Sequence, residues 1–262
     1  MTFTITQALL VGLWALFCFA GQIWGNYTNR ALFISFGVGL ILGDLKTAVI
    51  FGATAELAFM GFGVGPGGST PPNPLGPGIV GTIMAISIKG LTPNAALTLS
   101  YPFAIIVPFV ITFIFTINSG SMEMAKKAIL AGKYRKYQWM SNFTLYGFMI
   151  FAFIFGFAAT LSTSALRIFV NAIPTWLMNG LSVAGGLLPA VGFALILSTM
   201  IKKEYIPAII LGYVCVAYLK MPVIGLAFVG AVLAFNNYFN GKKAVDNAES
   251  NPVEDGGFED GI

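Results

Sequence analysis

The sequence predicts an all-α, polytopic integral membrane protein in which full transmembrane helices alternate with short, discontinuous and re-entrant helical hairpins. Three observations lead there. The 262 residues are 57% hydrophobic and only 9% charged, and mean hydropathy is +0.84, whereas a soluble domain carries about a quarter charged residues. Long apolar runs are separated by compact basic clusters. The N-terminal third contains apolar pieces that are too short to span and are broken by glycine and proline. A full span takes about 20 apolar residues, so the chain has room for about seven to ten membrane segments.

Ile5 to Trp24 forms the first run. No base precedes Arg30, so the run lacks the charged start of a signal peptide and reads as a retained helix. Ala31–Leu42, Val49–Phe62 and Ile79–Ile88 are the short pieces. Broken segments of this kind point to discontinuous helices around a transport site. Leu97–Ile117 and Trp139–Leu161 are strong spans, and between them "EMAKKAILAGKYRKYQ" (123–138) holds five bases and one acid. The positive-inside rule places that stretch in the cytoplasm. From 162 to 182, Leu166, Phe169, Val170, Ile173 and Leu177 recur at helical spacing, which predicts an amphipathic helix on the membrane surface with Trp176 as its anchor. Ser182–Ile201 is the next span, and Ile206–Leu219 and Val223–Phe239 form a thin pair joined by "KMP". Residues 1–240 are thus the membrane domain, and 241–262 are expected to be an acidic, disordered cytoplasmic tail. Before residue 246 all fourteen Lys and Arg face four acids, a balance suited to anionic lipid rather than nucleic acid.

The chain has no histidine and two distant cysteines, Cys18 and Cys215. That removes a His-based metal site, a Ser-His triad and a phosphohistidine from this chain. It also carries no GxxxxGK[ST] phosphate loop. No catalytic residue, metal or cofactor is expected. Asp44 in "GDLKT" reads as a turn or helix cap, or as part of a hinge. Glu56 lies inside an apolar segment, where a carboxylate either faces a cavity or pairs with a base. Arg30 and Lys46 are the nearby bases. The run "GVGPGGSTPPNPLGPG" that follows cannot be regular helix. At membrane depth such backbone must be buried or line a watery cavity, which makes Ser69, Thr70 and Asn73 ligands for a polar solute. In "QIWGNYTNR" (22–30), Trp24 and Tyr27 suit stacking on a sugar face and Asn26 a hydroxyl, or the stretch is an interfacial anchor and turn.

"GDLKTAVIFGATAELAFMGFG", the downstream "PPNP", "NAIPTWLMNGLSVAGGLLPAVGFALIL" and "YIPAIILGY" resemble the IIC membrane subunit of the mannose–fructose–sorbose class of bacterial phosphotransferase (PTS) sugar permeases. The resemblance runs from about residue 5 to 240 and leaves out the acidic tail. It implies a plasma-membrane permease built with a IID subunit and assembled as a multimer of IIC–IID pairs. It also implies IIA and IIB partners that carry the phosphohistidines, with the sugar phosphorylated from IIB during uptake. The substrate region then spans about 22–90, with Thr54, Glu56 and Asn73 at the sugar site. "PPNP" is closer to the galactosamine and N-acetylgalactosamine branch, where mannose-type members carry aspartate at the position of Asn73. An ion-coupled secondary transporter using Glu56, and a membrane receptor or scaffold without transport, are the alternative readings.

Overall fold

The computed structural model describes residues 3–62 and 71–250, the last ten of these by backbone alone. Among them the regular structure is helical throughout. The chain divides into two compact units, Met1–Thr199 and Met200–Ile262. Five stretches are long and apolar enough to cross a membrane: Ile5–Trp24, Pro93–Leu130, Phe143–Leu161, Thr175–Met200 and Val223–Asn240.

In the first unit, helix α1 (Ile5–Trp24) opens with a capping box between Thr4 and Gln7, which satisfies two amides that the helix leaves free. Its main partner is a helix from the middle of the chain, and between them come two short ones. Helix α2 (Ala31–Leu42) ends at Gly43 with φ 86°, the left-handed cap that glycine adopts without penalty. Asp44 then caps α3 (Leu45–Phe59), accepting from the Thr47 amide at 3.1 Å and the Thr47 hydroxyl at 2.7 Å. Asp44 is therefore a cap, worth about 1 kcal/mol. At 12 residues, α2 is about 18 Å long, well short of the hydrocarbon thickness of about 30 Å. The α2–α3 pair is a hairpin within the membrane domain rather than two spans.

After Pro74 the chain re-enters as a wide π-type turn, Pro77–Gly81, continuous with α4 (Thr82–Ser87). Pro77 has no amide to donate. Gly78 bonds the Pro74 carbonyl at 2.8 Å, and Thr82 donates its hydroxyl to the Gly78 carbonyl at 2.6 Å. Ser35 of α2, fully buried, brings its hydroxyl to 2.8 Å from that of Thr82. Buried polar groups of this broken segment are thereby paired inside the protein.

Helix α5 (Pro93–Asn118) contains Pro102 and Pro108. The expected basic loop is itself helical, as α6 (Ser121–Leu130) and α7 (Tyr134–Ser141). Helix α8 (Phe143–Leu161) packs along α1. Val11, Ala15, Phe19, Phe148 and Ala152 are buried in that seam, and the Phe19 and Phe148 rings meet edge-on at 5.5 Å. Small residues let the two backbones approach: a Cβ on Gly156 would lie 2.9 Å from the Ala15 Cβ and 3.0 Å from the Val11 carbonyl oxygen.

The single surface helix expected over 162–182 is two elements. Helix α9 (Thr163–Asn171) stops before Pro174, and α10 (Thr175–Met200) starts after it, taking Trp176 and Leu177 with it. Proline cannot continue the hydrogen-bond ladder and disfavours helix at the residue before it, so the apolar period runs through a break. Val170 is buried and Leu166 packs on the core, while Phe169 points outward.

The second unit has a short 3-10 turn, Lys203–Tyr205, then α11 (Ile206–Ala217) and α12 (Val223–Ser250), which pack on each other. Helix α12 runs ten residues into the stretch that the sequence assigned to the tail. Residues 251–262 lie outside the described residues.

Replacing Gly156 by Val is expected to cost about 1–3 kcal/mol, because the branched side chain wedges α1 from α8. Gly180→Val, where a Cβ meets nothing within 4 Å, serves as the control. Melting curves in detergent check this: Gly156→Val should melt clearly lower, and Gly180→Val near the parent.

Candidate functional site

One proline and one asparagine build the floor of the site. Pro108 in α5 has no amide to give the Ala104 carbonyl four residues back. The Asn73 amide fills that place at 2.9 Å, which fastens the re-entering segment to the middle of α5. The Asn73 side chain then folds over its own backbone, Oδ1 accepting from the Leu75 amide at 2.9 Å, a local turn that asparagine favours. Pinned at both points, Asn73 is only 7% exposed.

Above it lies a cavity of about 550 Å³ bounded by the end of α1, the connector to α2, the end of α3, Pro71–Pro74 and the middle of α5. Its polar wall is a cluster of three amides. Asn29 Nδ2 donates to Gln22 Oε1 at 2.8 Å and lies 3.4 Å from Asn73 Oδ1. Asn73 Nδ2 reaches Gln22 Oε1 at 3.5 Å. Asn29 Oδ1 is buried and accepts no hydrogen bond among the described residues; the faces that the three amides turn to the cavity offer both donors and acceptors to a ligand. Phe59, Phe62, Phe115 and Tyr27 supply the apolar and aromatic wall. A wall of aromatics with a few convergent polar groups is the usual make-up of a small-molecule site.

Arg30 also lines this cavity. Its Nε donates to Glu56 Oε1 at 2.6 Å, and its Nη2 engages the same oxygen. Glu56 Oε2 accepts the Leu32 amide at 3.2 Å, near the start of α2. Both carboxylate oxygens are thus occupied within the protein, and Glu56 itself does not line the cavity. Of the two bases that the sequence offered Glu56, Arg30 is the partner; Lys46 sits on the same helix, about 15 Å away along its axis.

The site residues expected from sequence therefore separate. Asn73 and Tyr27 line the cavity. Thr54 bonds the Ile50 carbonyl at 3.0 Å within α3, and neither it nor Trp24 nor Asn26 lines the cavity. Ser69 and Thr70 lie outside the described residues. Gln22, Asn29 and Arg30 also line it, although the sequence did not mark them as sugar ligands. Asn29 replaces Asn26 because the connector turns twice, at Gly25 with φ 75° and at Tyr27 with φ 52°. No cluster of three or more metal-ligating side chains occurs among the described residues.

Comparison with known proteins gives this cavity a setting. Residues 5–236 match the family described as the PTS system sorbose-specific IIC component. N-acetylgalactosamine permease IIC component 1 of Escherichia coli (strain K12) is 34% identical over 229 residues, covering 86% of this chain and 84% of the relative. A solved membrane protein is 27% identical with a TM-score of 0.80, over 90% of this chain and 96% of that one. A chain of the mannose transporter ManYZ, in complex with microcin E492, is 28% identical with a TM-score of 0.58, over 91% and 96%. The cavity on a broken hairpin, the helical membrane fold and these matches together make the chain a member of the IIC family of mannose–fructose–sorbose-class PTS sugar permeases.

Proposed function

We propose that this chain binds and translocates a hexose or N-acetylhexosamine, with N-acetylgalactosamine favoured, through the amide-walled cavity at Asn73. The observation that carries the reading is the convergence of the Gln22, Asn29 and Asn73 side-chain amides on the wall of one aromatic-lined cavity. A sugar brings several hydroxyls, each a donor and an acceptor, and amides answer both roles. The aromatic wall covers the ring's C–H face. The resemblance to a named N-acetylgalactosamine permease component supports the acetylated sugar.

In this reading the chain forms the membrane permease with a IID subunit, in a multimer of such pairs, as the resemblance to a mannose transporter complex suggests. The phosphoryl group reaches the sugar from IIB, charged in turn by IIA. With no histidine, this chain supplies passage and selectivity and leaves group transfer to its partners. The permease lies in the bacterial plasma membrane, with the basic stretch 123–138 facing the cytoplasm, where anionic lipid and the positive-inside rule hold it, and the acidic tail on the same side. Asn73, Tyr27, Gln22 and Asn29 touch the sugar; Glu56 acts through Arg30.

Uptake in cells lacking the general PTS phosphocarriers tests the coupling. The expected result is loss of N-acetylgalactosamine accumulation; continued accumulation of free sugar would instead mean ion coupling. For the site, Asn73→Asp is expected to shift sugar preference more than expression, because a carboxylate loses the amide's donor. Competition uptake with several sugars reads this directly, and unchanged selectivity would take Asn73 out of the site.

A further inference from the structure

We propose that the helical hairpin α6–α7 forms, with the ends of α5 and α8, a binding site for an anionic phospholipid of the cytoplasmic leaflet, its phosphate held at Lys126. A second cavity, of about 690 Å³, lies there. Apart from one shared ring, Phe115, its lining is separate from that of the sugar cavity. Met122, Ala125, Lys126 and Ile129 line it from α6, and Tyr137, Met140, Ser141 and Thr144 line it from α7 and the first turn of α8. Both sets step by three, one and three residues, the spacing of a single helix face. Asn118, the last residue of α5, donates to the Thr144 hydroxyl, which joins the ends of two membrane-crossing helices beside the cavity.

A lysine on such a face is the informative residue. The one acid of α6, Glu123, pairs with Lys127 at 2.9 Å across a single turn. Lys126 lines the cavity with no carboxylate in ion-pair reach among the described residues. No acid lines the cavity, and Lys126 and Tyr137 are its titratable side chains among the described residues. Lys133, Arg135 and Lys136 follow on the same hairpin and add to a positive field that reaches about 8 Å in physiological salt. The occupant is therefore an anion. The rest of the lining makes it a lipid. Phe115, Met122, Ile129 and Met140 offer an apolar surface that a free phosphate does not use, whereas Ser121, Tyr137 and Ser141 bring hydroxyls to phosphate oxygens. The depth agrees: Trp139 is 64% exposed, and its ring centroid lies 5.1 Å from that of Tyr146, an aromatic pair of the kind found at headgroup level. Basic cavities between helices on the cytoplasmic side suit acidic headgroups, and this volume fits one headgroup rather than the face of a protein. The leaflet rests on the cytoplasmic placement of 123–138; the site itself does not.

The test is native mass spectrometry of the permease purified with its membrane partner subunit and titrated in detergent with phosphatidylglycerol or with phosphatidylcholine of the same acyl chains. The parent is expected to bind phosphatidylglycerol at least about tenfold more tightly. Lys126→Gln should remove most of that preference, and Lys126→Arg should keep it. Lys133→Gln makes the same change of charge outside the cavity and should leave the preference within about twofold. Ser141→Trp fills the cavity without altering charge and should lower the preference too, so the test stands even if Lys126→Gln fails to fold. No preference in the parent overturns the inference, and so do equal losses in Lys126→Gln and Lys133→Gln, which would mean diffuse attraction without a site. Displacement of phosphatidylglycerol by inorganic phosphate at equal concentration overturns it in favour of a free-anion site. An unchanged preference in Lys126→Gln, with weakened binding of the IIB subunit, overturns it in favour of protein docking. Detergent has no sides, so external labelling of Lys133→Cys in intact cells would overturn the leaflet alone.

Discussion

The hydrogen bond from the Asn73 amide to the Ala104 carbonyl joins the two irregular parts of this fold. In lipid, backbone groups have no water to fall back on, and an orphan costs several kcal/mol. Pro108 creates an orphan carbonyl in α5, and the re-entering segment brings an amide that its own prolines and glycines cannot pair locally. Each defect satisfies the other. The consequence is geometric: the segment meets α5 at that carbonyl, and Asn73 is buried there beside the cavity.

The same logic explains how polar groups are distributed. Ser35, Thr82 and the Gly78 carbonyl are paired beneath the π-type turn, while the amides of Gln22, Asn29 and Asn73 converge on the cavity. The α1–α8 seam, closed by Gly12, Ala15 and Gly156, holds the end of α1 and therefore Gln22 in place. Arg30 and Glu56 tie the first turn of α2 to the end of α3, so the hairpin presents its cation at a fixed angle.

Much of this was legible in the sequence because the relevant chemistry is local. Proline and glycine announce a break wherever they stand, so the short pieces of the N-terminal third and the break at Pro71–Pro74 could be read directly, whereas Asn73 was read as a ligand and its backbone bond to α5 was not foreseen. Asp44 is a cap by the same local rule. What could not be read depends on tertiary turns. Asn29 faces the cavity and Asn26 does not, and that choice is made by left-handed backbone at Gly25 and Tyr27. Glu56 was conspicuous as an acid in an apolar helix, but a sequence does not say which base reaches it; the antiparallel hairpin brings Arg30 to it and keeps Lys46 away. The apolar period over 162–182 ran across Pro174, and the local break overrode the pattern.

The central claim is that a sugar lies against the three amides at the junction of the re-entering segment and α5. A sugar-bound structure of the permease with its partner subunit measures this most directly. The account predicts ring hydroxyls or an acetamido group within hydrogen-bond distance of the Gln22, Asn29 and Asn73 side chains. A sugar bound elsewhere, with these amides still paired only to one another, would contradict it.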